Sequence, residues 1–351
     1  MIQKERKKNK MKELMESWRN YTKQILSEDI ALGGGKSQSG ISFQGSKERE
    51  EGEEDGKDTL AKAAEKTGGD LSDYGVVKIV DFLNSPEGKD PKVRAALRTG
   101  QQDAKAKDEV IAVNDNASPD VANLSPTQNE ISLSKSIGWP LSSIETLQNV
   151  ATGDPTGRGM KIVSSGDLVI DGHHRWSSVW SVNPKAKVLA VDVGLPGEDA
   201  DQKLAVAQLA IAATIDPTSG DVPKATTGGA KDNILGSDAE TIKGMITSLV
   251  GKKMDSGKPL LGDEYVDTVK KSREGKAYFG LEPNMSNEQA RGLIINKVSN
   301  NLANLPKPQG PERDYMPQFD GGDTHDKQVS LGNVVARMKA GDVNFKGPFK
   351  E

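Results

Sequence analysis

Between Leu168 and Val182 the apolar pattern changes period at a single glycine. Leu168-Val169-Ile170 is a short continuous apolar run of strand type, and Asp171-Gly172 breaks it. Beyond the break Trp176, Val179 and Trp180 fall on one helical face until Asn183-Pro184 ends the run. A chain with this switch must place the end of a strand and the start of a helix at one turn. The surrounding residues supply the rest of a sheet. Val110 to Val113, Lys161 to Val163 and Val188 to Val193 are further β-branched runs, and Ser164-Ser165-Gly166 between two of them is a hairpin signal. The order is hairpin, strand, helix, strand, followed by the apolar helix Leu204 to Ala213. Residues 108–215 therefore read as one compact α/β or α+β unit.

The flanks have a different texture. In residues 1–30 Met11, Leu14, Met15, Trp18, Tyr21 and Ile25 recur at spacings of three and four among Lys and Arg, which is a basic amphipathic helix. It can pack on its own domain, or dock on a partner protein, an anionic surface or DNA. Met11 opens the periodic part and is an alternative start to Met1. Residues 31–69 hold Gly33-Gly34-Gly35, a Ser/Gly stretch and the acidic run from Glu48 to Asp58, with few large apolar side chains, and are expected to be a disordered linker. Residues 70–107 form a helical lead-in, with one helix over Leu71 to Leu83 and a second over Pro91 to Leu97. Residues 216–351 begin with a Pro/Gly/Thr-rich bridge and continue as a mainly helical region. Ser237 with Glu240, and Ser286 with Gln289, are capping-box starts for helices over Ile242–Leu249 and Leu293–Leu302, and a last helix runs from Val329 to Met338 with Gly341 closing it.

Composition narrows the chemistry. The 351 residues contain no cysteine, which excludes disulfides, thiolate zinc sites and thiol catalysis. A net charge of −4 argues against a general nucleic-acid coat, so any contact with DNA should be local. No run of about 18 apolar residues occurs and the N-terminus lacks the apolar centre of a signal peptide, so the chain reads as a cytoplasmic protein without a membrane span.

The segment Asp171-Gly172-His173-His174-Arg175 carries most of the functional information. The first amides of a helix have no internal partners and lie at the positive end of its dipole, so a strand–glycine–helix turn is a ready anion site. Gly172 lets the backbone approach a ligand, Arg175 can fork two hydrogen bonds onto phosphate oxygens, and a histidine can donate to phosphate or move a proton near neutral pH. Asp171 can bind Mg²⁺, fix a histidine tautomer or act as a base. The same residues also satisfy a plain helix start with an N-terminal Asp and a surface Arg. A zinc site is a weaker alternative, because His325 is the only other imidazole and carboxylates would have to complete it. The loop Gly153 to Gly159, containing Arg158, lacks the Gly-Lys-Ser/Thr ending of a P-loop and reads as a turn. Arg313, in the proline-bounded loop Pro311 to Gln318, either reaches back to the same site or packs at the domain edge.

With Leu124-Ser125-Pro126-Thr127-Gln128-Asn129-Glu130 upstream and Ile170-Asp171-Gly172-His173-His174-Arg175 downstream, residues 108–215 resemble the ParB/sulfiredoxin-like superfamily, in particular the Asp-Gly-His-His-Arg type found in ParB-like proteins of tailed bacteriophages. The resemblance implies an α+β fold, a small mixed α/β domain flanked here by the linker and the helical C-terminal region. It further implies a nucleoside triphosphate or diphosphate with Mg²⁺ as ligand, and NTPase, kinase or nuclease chemistry: phosphoryl transfer or phosphoester hydrolysis. By the same resemblance Gly172, His173, His174 and Arg175 hold the phosphates, Asp171 serves catalysis or the metal, His173 shares the catalytic role, and Glu130 is the candidate base. The chain departs from the sulfiredoxin branch, whose motif needs a cysteine where His173 stands, and from the partitioning CTPases, whose Gly-Glu-Arg-Arg motif and helix-turn-helix are missing. A DNA-binding ParB-like module or nuclease, and a phage structural or scaffold-associated protein with a phage or host protein partner, are the alternative readings.

Overall fold

The computed structural model describes residues 75–98, 110–154, 161–215, 222, 230–319 and 329–345. All of them belong to the unit Lys47–Glu351. The basic helix at residues 1–30, the linker at 31–69, Arg158 and His325 lie outside the described residues.

The helical lead-in forms α1 (Val76–Asn84) and α2 (Pro91–Ala96). Proline at the first position of α2 suits a helix start, and the Asp90 carboxylate caps it by accepting the Lys92 amide at 2.8 Å. The sheet strands are β1 (Val113–Ala117), β2 (Ser125–Pro126), β3 (Ile162–Ser165), β4 (Leu168–Asp171) and β5 (Ala190–Val193), arranged β1-β5-β3-β4-β2. β3 and β4 form the expected antiparallel hairpin, closed by Gly166 and Asp167. β5 runs parallel to β3, β2 parallel to β4, and β1 antiparallel to β5 at the edge. The described residues thus form an α+β structure around a five-stranded mixed sheet.

Helices cover both faces because the central strands are apolar on both. Along β4, Leu168 and Ile170 face one core and Val169 the other, and along β3 the alternation is Val163 against Ile162. The first core gathers α1, α2, α6 (Ala200–Thr214) and α11 (Leu331–Ala340). The second gathers α3 (Leu133–Ile137), α4 (Ile144–Ala151), α5 (His173–Val182), α7 (Ala239–Leu249), α8 (Asp263–Val269), α9 (Arg273–Phe279) and α10 (Asn287–Leu302). At its centre Trp176 and Trp180 meet edge to face with centroids 5.4 Å apart, and the Trp180 indole donates to the Asn301 carbonyl of α10 at 2.8 Å.

The boundaries that sequence texture places at 107/108 and 215/216 therefore do not separate cores. Both flanks bury their apolar faces against the sheet layers themselves. Two local expectations also shift. Val110 and Ile111 precede the ladder, with the Ile111 amide bonded to the Met338 carbonyl, and the edge strand is the polar run Val113–Ala117. The helix expected to start from Ser237 instead takes Asp238 as its cap, whose carboxylate accepts the Thr241 amide at 2.7 Å. No helix among the described residues is long and apolar enough to cross a membrane.

Candidate functional site

Parallel pairing of β2 with β4 points their carboxyl ends the same way, so Thr127, which follows β2, lies beside the end of β4, where Asp171 closes the strand and Gly172 leaves it. Gly172 caps α5 in the left-handed region at φ 85°, which a residue with a Cβ adopts only at a cost. A Cβ there would also lie 3.0 Å from Ile162 Cγ2, 3.0 Å from Arg175 Nε and 3.1 Å from Arg175 Nη2. The guanidinium of Arg175 thus lies against the bare glycine backbone at the helix start. Its Nη2 is 3.7 Å from Asp171 Oδ2, while Asp171 Oδ1 accepts the Gly172 amide at 2.7 Å.

The two histidines grip the loop that follows β2. His173 is buried, and its Nε2 lies 3.2 Å from the Thr127 amide, 3.2 Å from the Gln128 amide and 3.3 Å from Thr127 Oγ1. Nε2 of His174 accepts the Ser132 amide at 3.1 Å. Because amide hydrogens point at both Nε2 atoms, each ring carries its proton on Nδ1, an assignment made from the donor geometry. Burial, then the His174 charge, lower the pKa of His173 to about 3 against an upward pull from the Val169 carbonyl, with a smaller lowering from Arg313. Burial, Arg313 and Lys135 bring His174 to about 3 despite Asp232 nearby. Both rings are therefore neutral at physiological pH. As amide acceptors at Nε2 both rings brace residues 127–132, and the Nδ1–H of each is its hydrogen-bond donor.

Glu130 arrives on that braced loop. Its Oε1 is buried without a hydrogen-bond partner and lies 3.8 Å from Nη1 of Arg313. The structure so gathers Asp171, Gly172, His173, His174 and Arg175 at one turn, with Glu130 and Arg313 adjoining the histidines. Glu130 does not cap α3, because Ser132 does so by accepting the Lys135 amide.

Sequence reasoning missed the support beneath this loop. Asp232 Oδ2 accepts the Ser134 amide at 2.7 Å and the Ser132 hydroxyl at 3.2 Å, and Asn233 Oδ1 accepts the Ile131 amide at 3.0 Å. Burial pushes the Asp232 carboxyl up, but these Ser134 and Ser132 hydrogen bonds outweigh it and hold its pKa below the usual carboxylate range. Asp232-Asn233 lies in the Pro/Gly-rich bridge, where the only signal was a pair of turn-forming residues.

Among the described residues no group of three or more His, Asp or Glu side chains could hold a metal ion. The zinc reading gains nothing, since both Nε2 atoms already serve amides. Mg²⁺ asks less of a protein, because one or two carboxylates suffice when phosphate oxygens and water complete its shell. Asp171 supplies one carboxylate at the end of β4 beside the turn.

No protein-family model, curated protein or solved structure gives a match to this chain.

Proposed function

We propose that the protein binds the phosphates of a nucleoside di- or triphosphate with Mg²⁺ at the β4–α5 turn, and transfers or hydrolyses a phosphoryl group there. The observation that carries this reading is the placement of the Arg175 guanidinium against the left-handed Gly172 at the start of a ten-residue helix. Such a turn offers main-chain amides, the positive end of a helix dipole and a forked cation to one anion. Asp171 would hold Mg²⁺ together with phosphate oxygens, and the metal would neutralise charge on the phosphates. Glu130 presents a desolvated acceptor oxygen, and the resemblance to the ParB/sulfiredoxin-like superfamily gives it the role of base toward an acceptor hydroxyl or water. His173 and His174 keep the loop bearing Glu130 in place through the Thr127, Gln128 and Ser132 amides.

Thermal shift and phosphate release with ATP, ADP, CTP and GTP, each with Mg²⁺, test the reading on wild type and Arg175→Ala in parallel. Nucleotide at 100-fold over its Kd should stabilise the wild type by about 3 kcal/mol, a shift of several degrees in Tm. Arg175→Ala should bind at least tenfold more weakly, since a charge-assisted hydrogen bond contributes about 1.5–3 kcal/mol. A wild type that is neither stabilised nor active with any of the four overturns the proposal.

A further inference from the structure

Arg313 comes from a segment that sequence texture assigns to the helical C-terminal region, yet its backbone is fastened to the site. The Gln309 amide donates to the Pro126 carbonyl at 2.9 Å and the Asn129 amide to the Pro311 carbonyl at 3.2 Å, so the segment follows the outer edge of β2. Gly310 passes so close that a Cβ there would stand 2.1 Å from the Thr127 carbonyl oxygen. Beyond the arginine, the Tyr315 carbonyl accepts Gln208 Nε2 at 2.9 Å. Arg313 is therefore held from both sides. At 3.8 Å its contact with Glu130 Oε1 is an ion pair too long to be a hydrogen bond, and that oxygen is buried with no other partner. A desolvated carboxylate of this kind keeps a guanidinium close while leaving most of its five donors unspent.

Strand order fixes where the two arginines stand. β4 ends at the turn, β3 is its neighbour on one side and β2 on the other. Arg175 and Ile162 of β3 crowd the same side of Gly172, whereas Arg313 enters from the β2 side beside Glu130. Arg175 therefore stands on the β3 side of the turn and Arg313 on the β2 side. A phosphate held by Arg175 and the α5 amides occupies the first side, and a second linked phosphate would occupy the other.

We infer that Arg313 is a binding residue for a second phosphate, so that the site selects ligands carrying a diphosphate unit over monophosphates. This rests on the phosphate-binding reading of the β4–α5 turn. Calorimetric titration of the full chain with ADP, pyrophosphate and AMP, each with Mg²⁺, tests it on wild type, Arg175→Ala, Arg313→Ala and Arg313→Lys. The wild type should bind ADP and pyrophosphate at least tenfold more tightly than AMP. Arg313→Ala should lose that preference, weakening ADP and pyrophosphate about tenfold while AMP stays within about twofold, and Arg313→Lys should recover part of it. Arg175→Ala should weaken all three ligands. Should Arg313→Ala bind ADP as the wild type does while Arg175→Ala is impaired, this inference falls and the phosphate reading stands. A wild type that binds none of the three removes both. If Arg313→Ala fails to fold, as its melting curve would report, Arg313→Gln takes its place with the same expected loss of preference, and retained preference overturns the inference.

Discussion

His173 and His174 look alike in sequence and do related work at separate points of one loop. Each presents Nε2 to backbone amides, those of Thr127 and Gln128 for one ring and that of Ser132 for the other, and each is held near pKa 3 chiefly by burial. The ordinary histidine value is about 6.5, which the unfolded chain retains. Below that pH the unfolded chain takes up protons that the folded chain refuses, so the contribution to stability is complete above about pH 6.5 and is lost as pH falls toward 3. The slope approaches about 1.4 kcal/mol per pH unit for each ring. Urea unfolding between pH 7.5 and about 5.5, above the range in which carboxyl groups of the unfolded chain take up protons, should show the decline. His174→Gln, which keeps an acceptor for the Ser132 amide, should show about half the slope. A flat profile in the wild type would mean that the rings are protonated in the fold and do not accept these amides. The sequence identifies the pair as chemically important, but the direction of their hydrogen bonds depends on a loop more than 40 residues upstream, and no local pattern reports it.

Elements with a strong local signature were legible. The Ser286–Gln289 capping box starts α10 as expected, and Gly341 closes α11 in the left-handed conformation at φ 71°. β3 and β4 follow their β-branched runs to within a residue or two. Elements whose existence depends on partners were not legible. β2 is two residues, Ser125–Pro126, created by pairing with β4, and β1 is a polar edge with no alternation to read. Arg94 is the clearest case at this scale, because the short helix read over Pro91 to Leu97 carries no signal for what its one arginine does. In the structure Arg94 is 2% exposed and ties three segments together. Its Nε donates to the Gly88 carbonyl at 2.8 Å, Nη2 to Leu83 at the end of α1 at 2.7 Å, and Nη1 to Ala212 near the end of α6 at 3.4 Å. Helix carbonyl ends carry partial negative charge, so one guanidinium offsets two of them at once. Arg94→Leu should destabilise the fold by about 2–4 kcal/mol in urea unfolding, since buried carbonyls lose their donor. Arg94→Lys should recover only part, because an ammonium cannot fork across the same three acceptors. Equal stability of Arg94→Leu and wild type would show that water or other donors replace the guanidinium.

On the scale of the whole molecule, texture and architecture part ways. The shift from β-branched runs to helices at residue 216 is real, but a boundary between domains requires each side to bury its own apolar surface, and these two sides bury each other's. Trp176 and Val179 of α5 share a core with Ile242 and Ile246 of α7 and with Ile294 and Val298 of α10, and all of these residues are fully buried. The Asn301 side chain also donates to the Ser181 carbonyl at 2.8 Å, reciprocating the Trp180 indole bond to its own carbonyl. The candidate site repeats the arrangement in miniature, with Asp232 and Asn233 bracing one end of the 127–132 loop and Arg313 adjoining Glu130. A chain ending at residue 215 would therefore expose two tryptophans together with much of the second core. Fully burying one large apolar side chain contributes about 1.5–3 kcal/mol, and a native fold is stable by only about 5–15 kcal/mol in total. Losing several such contacts at once exceeds that margin. The truncated chain should melt without a cooperative transition, bind 1-anilinonaphthalene-8-sulfonate and lose its near-ultraviolet circular dichroism, whereas the intact chain melts sharply. A truncated chain with a sharp transition and intact near-ultraviolet signal would show instead that residues up to 215 carry a self-sufficient core, and that the helices beyond it dock on a finished surface.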